Sequence, residues 1–566
     1  MSVLGSALTA PSIPGSNLRG AVGGANWCFL LPSLELGRVA YVGAPSCAAL
    51  ITLTALSDEV VVCAPQRRLG RVRRAIRDKG LRGVSLLETE GRGAIPLSDR
   101  SADVVVLARH PDRRMGEEIE RLLTPEGISF VEFRIPTRPS PRTSPLPLGR
   151  FERREVFWLA PAGGEVWAAA PVGDRRAIAY LEQRFLRRRL VLRRLLRHPR
   201  RALQRQLLVT RLARRRGALV VRSTATAVDG PPRYLQSVAA AAGISLERHR
   251  WGLAAPGDYG SQKVLFFLFR GDRGVPEYVA KITRDPSLNP RLENEHRALG
   301  LLGETEIGAA SALPRPVFFG YRYGLAVLGE TAIDGMPFVE RTTSTADCGL
   351  AQAALDWLVE LGVGTTWRPA GPAGAVAGEL DALFERFRKI YQLSPAQDAF
   401  LAAQIEVLGS IENGFPLVFQ HGDPGPWNLL ITAAGEPAFL DWEAAEPHGM
   451  PLWDLFHFLR SYSLRVSRAS GTRDPMRSFE EQLLGDSELG RLLAQKTSRY
   501  CAETGLATEL VEPLFYLCWV HRALREATRL HPHHLDRGRY VNLLRVSIER
   551  RESPGLRRLF SLPPGD

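Results

Sequence analysis

One stretch constrains this 566-residue chain more than any other: Phe419-Gln-His-Gly-Asp-Pro-Gly-Pro-Trp-Asn-Leu-Leu-Ile431, followed by Ala438-Phe-Leu-Asp-Trp-Glu443. Apolar runs flank a loop rich in glycine and proline. Asp423 and Asn428 stand five apart on that loop, and Asp441 lies thirteen further on, at the end of an apolar strand.

Phosphoryl transfer needs one carboxylate near the acceptor hydroxyl, and an amide with a second carboxylate to hold Mg²⁺ on the nucleotide phosphates. Protein kinases space their catalytic-loop Asp and Asn five apart and place the metal Asp after the next strand. The same spacing occurs here, with Gly422 in place of the arginine and Asp441-Trp-Glu443 in place of Asp-Phe-Gly. The combination resembles the aminoglycoside phosphotransferase/choline kinase-like family, over roughly residues 245–550. Pro426-Trp427-Asn428 and Pro451-Leu-Trp-Asp-Leu455 look most like members found with cell-surface glycan biosynthesis.

The resemblance implies an ATP- and Mg²⁺-dependent kinase acting on the hydroxyl of a small molecule, a sugar or glycan precursor among the candidates. Asp423 would orient the hydroxyl and could deprotonate it; Asn428 and Asp441 would hold Mg²⁺. His421 would orient the loop by hydrogen bonds, and Asp454 would cap or brace it. A strand lysine should meet the phosphates: Tyr278-Val-Ala-Lys-Ile282 supplies Lys281, one of only five lysines in the chain. A helix glutamate should pair with it, and Glu295 is the first choice, Glu293 the second. The strand Gly324–Thr331, with Glu330, should lead to the adenine hinge, with Gly335 in the turn beyond. The loop covering the phosphates is assigned to Gly257, Gly260 and Ser261, although Gly257-Asp-Tyr-Gly260-Ser261 is not GxGxxG. Glu443 is left open as a further group near the metal, and Trp427 and Trp442 read as packing residues.

The Ala-Pro-Glu that ends a protein-kinase activation segment is missing after Asp441, which argues against protein acceptors. Residues 344–414 read as the helical insert that shapes the acceptor site in this family. They hold nine acids against four bases. That balance suits a cationic acceptor, or simply a solvated helical face.

Upstream, short β-branched runs alternate with helical patterns. Val39–Gly43, Val60–Ala64, Asp103–Leu107 and Ile128–Phe133 read as buried parallel strands, and Gln66–Lys79 and Met115–Leu123 as helices between them. This predicts a doubly wound, Rossmann-like α/β domain. Val156–Ala160 and Glu165–Ala170 read as a hairpin. The order resembles a class I S-adenosylmethionine-dependent methyltransferase. The glycine-rich turn of that family would fall on Tyr41-Val-Gly-Ala-Pro-Ser-Cys47, where only Gly43 remains. The ribose-binding acid is also missing from Val62-Cys-Ala-Pro-Gln66, so S-adenosylmethionine is not expected and a structural or partner-recognition role is.

Net charge is +14, yet residues 184–216 hold 14 arginines and no acid, so the rest of the chain is neutral. This segment reads as a helical connector broken near Pro199. Its arginines could pair with acids of the flanking domains or lie on an anionic membrane face. Nucleic acid is not expected, because aromatics are nearly absent from the segment. No apolar run reaches the ~18 residues that span a bilayer. The six cysteines are scattered without a CxxC pair, and a cytoplasmic setting is expected, with a peripheral position at the inner membrane face as one option.

The organisation predicted is a disordered 1–24, a methyltransferase-like domain at 25–180, and an arginine-rich linker at 181–220. A two-lobed protein-kinase-like domain follows, at 221–340 and 341–550, with a tail at 551–566. Two alternatives stay open: a non-catalytic scaffold and a bifunctional methyltransferase–kinase. The oligomeric state is not legible.

Overall fold

The computed structural model describes residues 25–89, 94–107, 113–134, 153–160, 166–186, 216–222, 230–255, 263–369, 374–410 and 415–563. They form two compact units. One holds the described residues up to 292 together with 316–332, and the other holds 293–315 and 333–563.

The first unit is built on a sheet of thirteen strands. Five of these are parallel: β1 (Arg38–Val42), β2 (Glu59–Ala64), β3 (Val84–Glu88), β4 (Ala102–Leu107) and β5 (Leu123–Arg134). Their order, β3-β2-β1-β4-β5, reverses between β1 and β4. Alternate side chains serve opposite faces. Val39, Tyr41, Val60, Val62, Val104 and Val106 pack with Leu50, Leu53, Leu69 and Val72 of two helices. Ala40, Val61, Cys63, Val105 and Leu107 pack with Met115, Ile119 and Leu122 of a third. Both faces are covered, which is why these strands read as unbroken apolar runs.

The sheet does not stop there. β8 (Arg216–Arg222) pairs antiparallel with β5 and with β6 (Arg153–Ala160). β6 pairs with β7 (Ala168–Pro171), and β7 pairs with β9 (Arg250–Ala254). β10 (Lys263–Phe269), β11 (Tyr278–Thr283), β13 (Leu325–Thr331) and β12 (Pro316–Arg322) continue it, all antiparallel. Residues 216–220, the end of the helical linker expected at 181–220, are therefore part of a strand. Gly217-Ala-Leu-Val-Val221 is apolar and partly β-branched, and both its edges are paired, so local strand preference prevails over the preceding basic run. Residues 187–215, the bulk of that run, lie outside the described residues, as do 1–24.

The second unit is mainly helical around one core, in which Trp442, Trp453, Phe456, Phe458, Phe515 and Trp519 are central. Two small sheets sit in it. One comprises β14 (Gly335–Pro337), β16 (Leu429–Thr432) and β17 (Pro437–Phe439); the other pairs β15 (Val418–Gln420) with β18 (Glu446–Gly449). Among the described residues, no helix is long and apolar enough to cross a membrane.

Candidate active site

The loop that leaves β15 carries His421, Gly422 and Asp423. The loop that enters β16 ends in Asn428, and Asp441 follows β17. Leu429 pairs with Phe439, and Leu440 N donates to Asn428 O at 2.8 Å. This register puts Asn428 and Asp441 at the same end of the β16–β17 hairpin. Asn428 Nδ2 donates to Asp423 O at 3.0 Å, and its contact to Asp423 Oδ2 is longer, at 3.4 Å. The amide nitrogen is thus committed to the Asp423 loop, which leaves its oxygen for another partner.

Asp454, at the start of the Trp453–Ala469 helix, holds the loop from behind. Its carboxylate accepts His421 N at 2.5 Å and Gly422 N at 3.0 Å. The buried His421 ring accepts Asp423 N on Nδ1 at 3.2 Å and donates from Nε2 to Leu440 O at 3.1 Å. This ring therefore ties the Asp423 loop to the residue before Asp441. Asp454→Ala would orphan two buried N–H groups and is expected to cost about 2–5 kcal/mol in unfolding free energy. Denaturant titration checks this, and an unchanged midpoint would remove Asp454 as a brace.

A helix of the same core pins the other loop. On the Asn289–Gly303 helix, buried Glu295 accepts Trp442 N at 2.9 Å. Asn294 Nδ2 donates to Glu443 O at 3.2 Å and to Ala445 O at 2.9 Å. Asp441 itself has φ +70°, a conformation held only when the surroundings over-determine it. Asn294 was not singled out in the sequence, although it lies next to Glu295 in the same helical run.

Asp423 is the partly exposed member, its side chain 37% accessible. Its Oδ1 lies 3.1 Å from His457 Nε2 and 3.6 Å from Arg522 Nη1. Trp427 Nε1 approaches its Oδ2 at 3.5 Å. Burial works against ionising this carboxyl, but His457, Arg522 and Arg525 outweigh it and hold it well below the usual carboxylate range. Burial and the nearby Arg522 push the imidazole of His457 down to about 3, so it is neutral and donates a hydrogen bond. His457, Arg522 and Arg525 were missed in the sequence. The signal was present: a charged pair, His521-Arg522, interrupts the apolar Leu514–Ala527, and His457 stands three residues after Asp454 on one helix face.

Trp442 is fully buried, as a packing residue should be, whereas Trp427 is 54% exposed beside Asp423. Close by, burial raises Glu446 to about 7, with Arg525 opposing and Asp454 adding to the rise. A raised acid favours folding below its ordinary 4.5, and that contribution is lost as pH climbs through 7. Glu446→Gln should therefore flatten the fall in stability across this window by about 2–3 kcal/mol. Denaturant midpoints at the two ends of the window test this, and equal slopes in both proteins would refute it.

In the sheet-bearing unit, Lys281 on β11 and Glu330 on β13 form an ion pair of 2.7 Å, both nearly fully buried. Lys281 faces Leu328 across the ladder, and Glu330 is the diagonal neighbour on the same face. Gly257, Gly260 and Ser261 lie outside the described residues.

A loop carrying Asp, Asn and a following Asp, braced in this way, is similar in arrangement to a kinase-like phosphotransferase site. Residues 260–483 match the model of the phosphotransferase enzyme family, APH. No curated protein matches the chain. Among solved structures, aminoglycoside phosphotransferase APH(3'')-Id from Streptomyces rimosus, in complex with ADP and streptomycin, is 15% identical, with 47% of this chain and 92% of that one covered and a TM-score of 0.28. The N-terminal part is similar to methyltransferase structures. A SAM-dependent methyltransferase from Aquifex aeolicus is 16% identical, over 22% of this chain and 74% of that one, with a TM-score of 0.18. The YcgJ protein from Bacillus subtilis is 19% identical, over 18% of this chain and 44% of that one, with a TM-score of 0.16. This chain thus spans less than half of YcgJ.

Proposed function

We propose that this protein transfers the γ-phosphate of ATP, with Mg²⁺, to a hydroxyl of a small molecule, a sugar or glycan precursor. One observation carries the reading: the ionised Asp423 carboxylate stands partly open beside an amide and a second carboxylate gathered at one hairpin end. Asp423 accepts the acceptor's hydroxyl hydrogen bond and orients it. Asn428 and Asp441 supply an amide oxygen and a carboxylate, hard donors that suit Mg²⁺. Among the described residues, no group of three His, Cys, Asp or Glu side chains could hold a metal by itself. That fits an ion bound by one or two protein groups and completed by substrate phosphates and water. When bound, Mg²⁺ neutralises charge developing on the phosphates. Within its own unit Lys281 pairs with Glu330, a buried cation of the kind that meets nucleotide phosphates, and in the other unit Glu295 holds the Asp441 loop through Trp442 N. The exposed indole of Trp427 offers a flat apolar face beside Asp423, of the kind a sugar ring stacks on.

The test is ATP consumption measured across neutral, acidic, phosphorylated and amino sugars, with the Asp441→Asn variant as the control. Mg²⁺-dependent turnover in the native protein should fall at least ~100-fold in the variant. Turnover that survives in Asp441→Asn would refute the metal assignment. A native protein that neither binds nor consumes ATP would refute the function.

A scaffold role remains the second reading for the N-terminal sheet. There the turn after β1 is Gly43-Ala-Pro-Ser-Cys47, and Ser46 caps the next helix by accepting Ala49 N at 3.1 Å.

A further inference from the structure

The helices behind Asp423 carry charge in an apolar interior. Arg460 is 1% exposed and Arg522 is 5% exposed. Arg460 lies three residues after His457, on the same face of the Trp453–Ala469 helix, with its guanidinium 5.4 Å from the ring of Tyr540. Tyr540 in turn lies 6.2 Å from the His457 ring, between centroids. Nε and Nη2 of Arg460, Nη2 of Arg522 and Nδ1 of His457 have no hydrogen-bond partner in the protein. Arg522 and His457 both reach Asp423 Oδ1, and Arg460 lies behind them over Tyr540, so the orphaned donors are those of the two guanidinium groups.

A buried guanidinium without acceptors costs several kcal/mol. The acids nearby do not remove that cost. Asp454 is committed to His421 N and Gly422 N, and Glu526 accepts Tyr540 N at 3.0 Å. Asp423, which already accepts from His457, cannot also satisfy two guanidinium forks. The missing complement is negative charge with several oxygens, which phosphate and carboxylate supply in the geometry a guanidinium prefers. The acidic insert gives no contrary signal: some of its acids are used within the fold, and the exposed Asp347, Asp381 and Glu406 fit a solvated helical face. Asp356 pairs with Lys496 and with Arg499, and Asp398 pairs with Arg388 at 2.8 Å.

We infer that Arg460 and Arg522 form a receptor for an oxyanion carried by the acceptor, so that the alcohol phosphorylated here is an acidic or already phosphorylated sugar and not a cationic amine. This rests on the phosphotransferase reading and names the substrate class of that site. The oxyanion enters beside Asp423 and completes the arginine forks, and its hydroxyl-bearing end is left at the Asp423 carboxylate.

Calorimetric titration of the full-length protein, saturated with ADP and Mg²⁺, tests this with glucose 6-phosphate, glucuronate, glucose and glucosamine as probes. At least one oxyanion probe should bind, and glucose and glucosamine should bind at least about tenfold more weakly. The stronger of the two anionic probes identifies phosphate or carboxylate as the group received. Arg460→Gln and Arg522→Gln should each raise the Kd of that probe roughly 10- to 100-fold, with ADP titrations unaltered. Arg460→Lys, which keeps charge but not the fork, should fall between. Arg460→Met should lose the probe yet unfold at an equal or higher temperature, because it removes an unsatisfied buried charge. Preferred binding of glucosamine, or arginine variants that bind the anionic probe as the native protein does, would overturn the inference. So would failure of both oxyanion probes in a protein that still binds ADP. A protein that binds no nucleotide at all would instead defeat the phosphotransferase reading and take this one with it.

Discussion

Asp423→Asn is expected to cut phosphate transfer by about 10²–10⁴-fold while nucleotide binding stays measurable. The substitution is nearly isosteric, so the loop should keep its shape: His421, Asp454 and Gly422 hold it through backbone groups that the change does not touch. What is lost is the negative acceptor at the hydroxyl, together with the charge that Arg522 and His457 are arranged around. Because the carboxyl is held well below the ordinary range, it is a weak base and acts chiefly by orienting the hydroxyl. The pH profile should then show no acid limb from this group between pH 8 and roughly pH 5. His457 favours unfolding progressively as pH falls below its ordinary 6.5, and Asp423 as pH falls below its ordinary 3.8, since each has a depressed pKa and binds fewer protons folded than unfolded. Unaltered turnover in Asp423→Asn, with native thermal stability, would end the catalytic assignment.

The parts of this site that were legible in the sequence are those whose chemistry is local. Asp423, Asn428 and Asp441 could be read because a loop between two strands fixes their spacing, and the hairpin register then brings Asn428 and Asp441 to one end. The parallel strands were legible for a similar reason: burial on both faces leaves unbroken β-branched runs. β3 was not, because Val84-Ser-Leu-Leu-Glu88 is an edge strand with no fully buried side chain and so lacks that signature. β8 was hidden behind arginines whose helical spacing carried no information about Gly217–Val221. Glu295 was named for the lysine; its bond to Trp442 N was not legible, because only the fold shows that the backbone N–H after Asp441 needs an acceptor there. Arg460 was illegible for a deeper reason. It lies in a helix of mixed polarity, and only three-dimensional packing shows that its guanidinium is buried over the ring of Tyr540 instead of facing water.

Gly422→Ala should be strongly damaging to the second unit. Gly422 has φ +79°, and a Cβ built there would sit 2.1 Å from Ala444 O. Gly435, in the β16–β17 turn, has φ +87° with no atom within 4 Å of its Cβ position, so it isolates the cost of the backbone conformation alone. Gly435→Ala is therefore expected to lose about 1–2 kcal/mol. Gly422→Ala must in addition displace a carbonyl that lies three residues after Asp441, and about 3–4 kcal/mol is expected. The displacement also runs through chemistry. Ala444 belongs to the stretch that Asn294 and Glu295 pin, so any shift is shared between the Asp423 and Asp441 loops. Misplacement by an ångström at reacting groups costs ~100-fold in rate, so Gly422→Ala that still folds should lose turnover where Gly435→Ala keeps it. Equal losses of stability and of turnover in the two variants would show that the close approach of Gly422 to Ala444 O does not position the site.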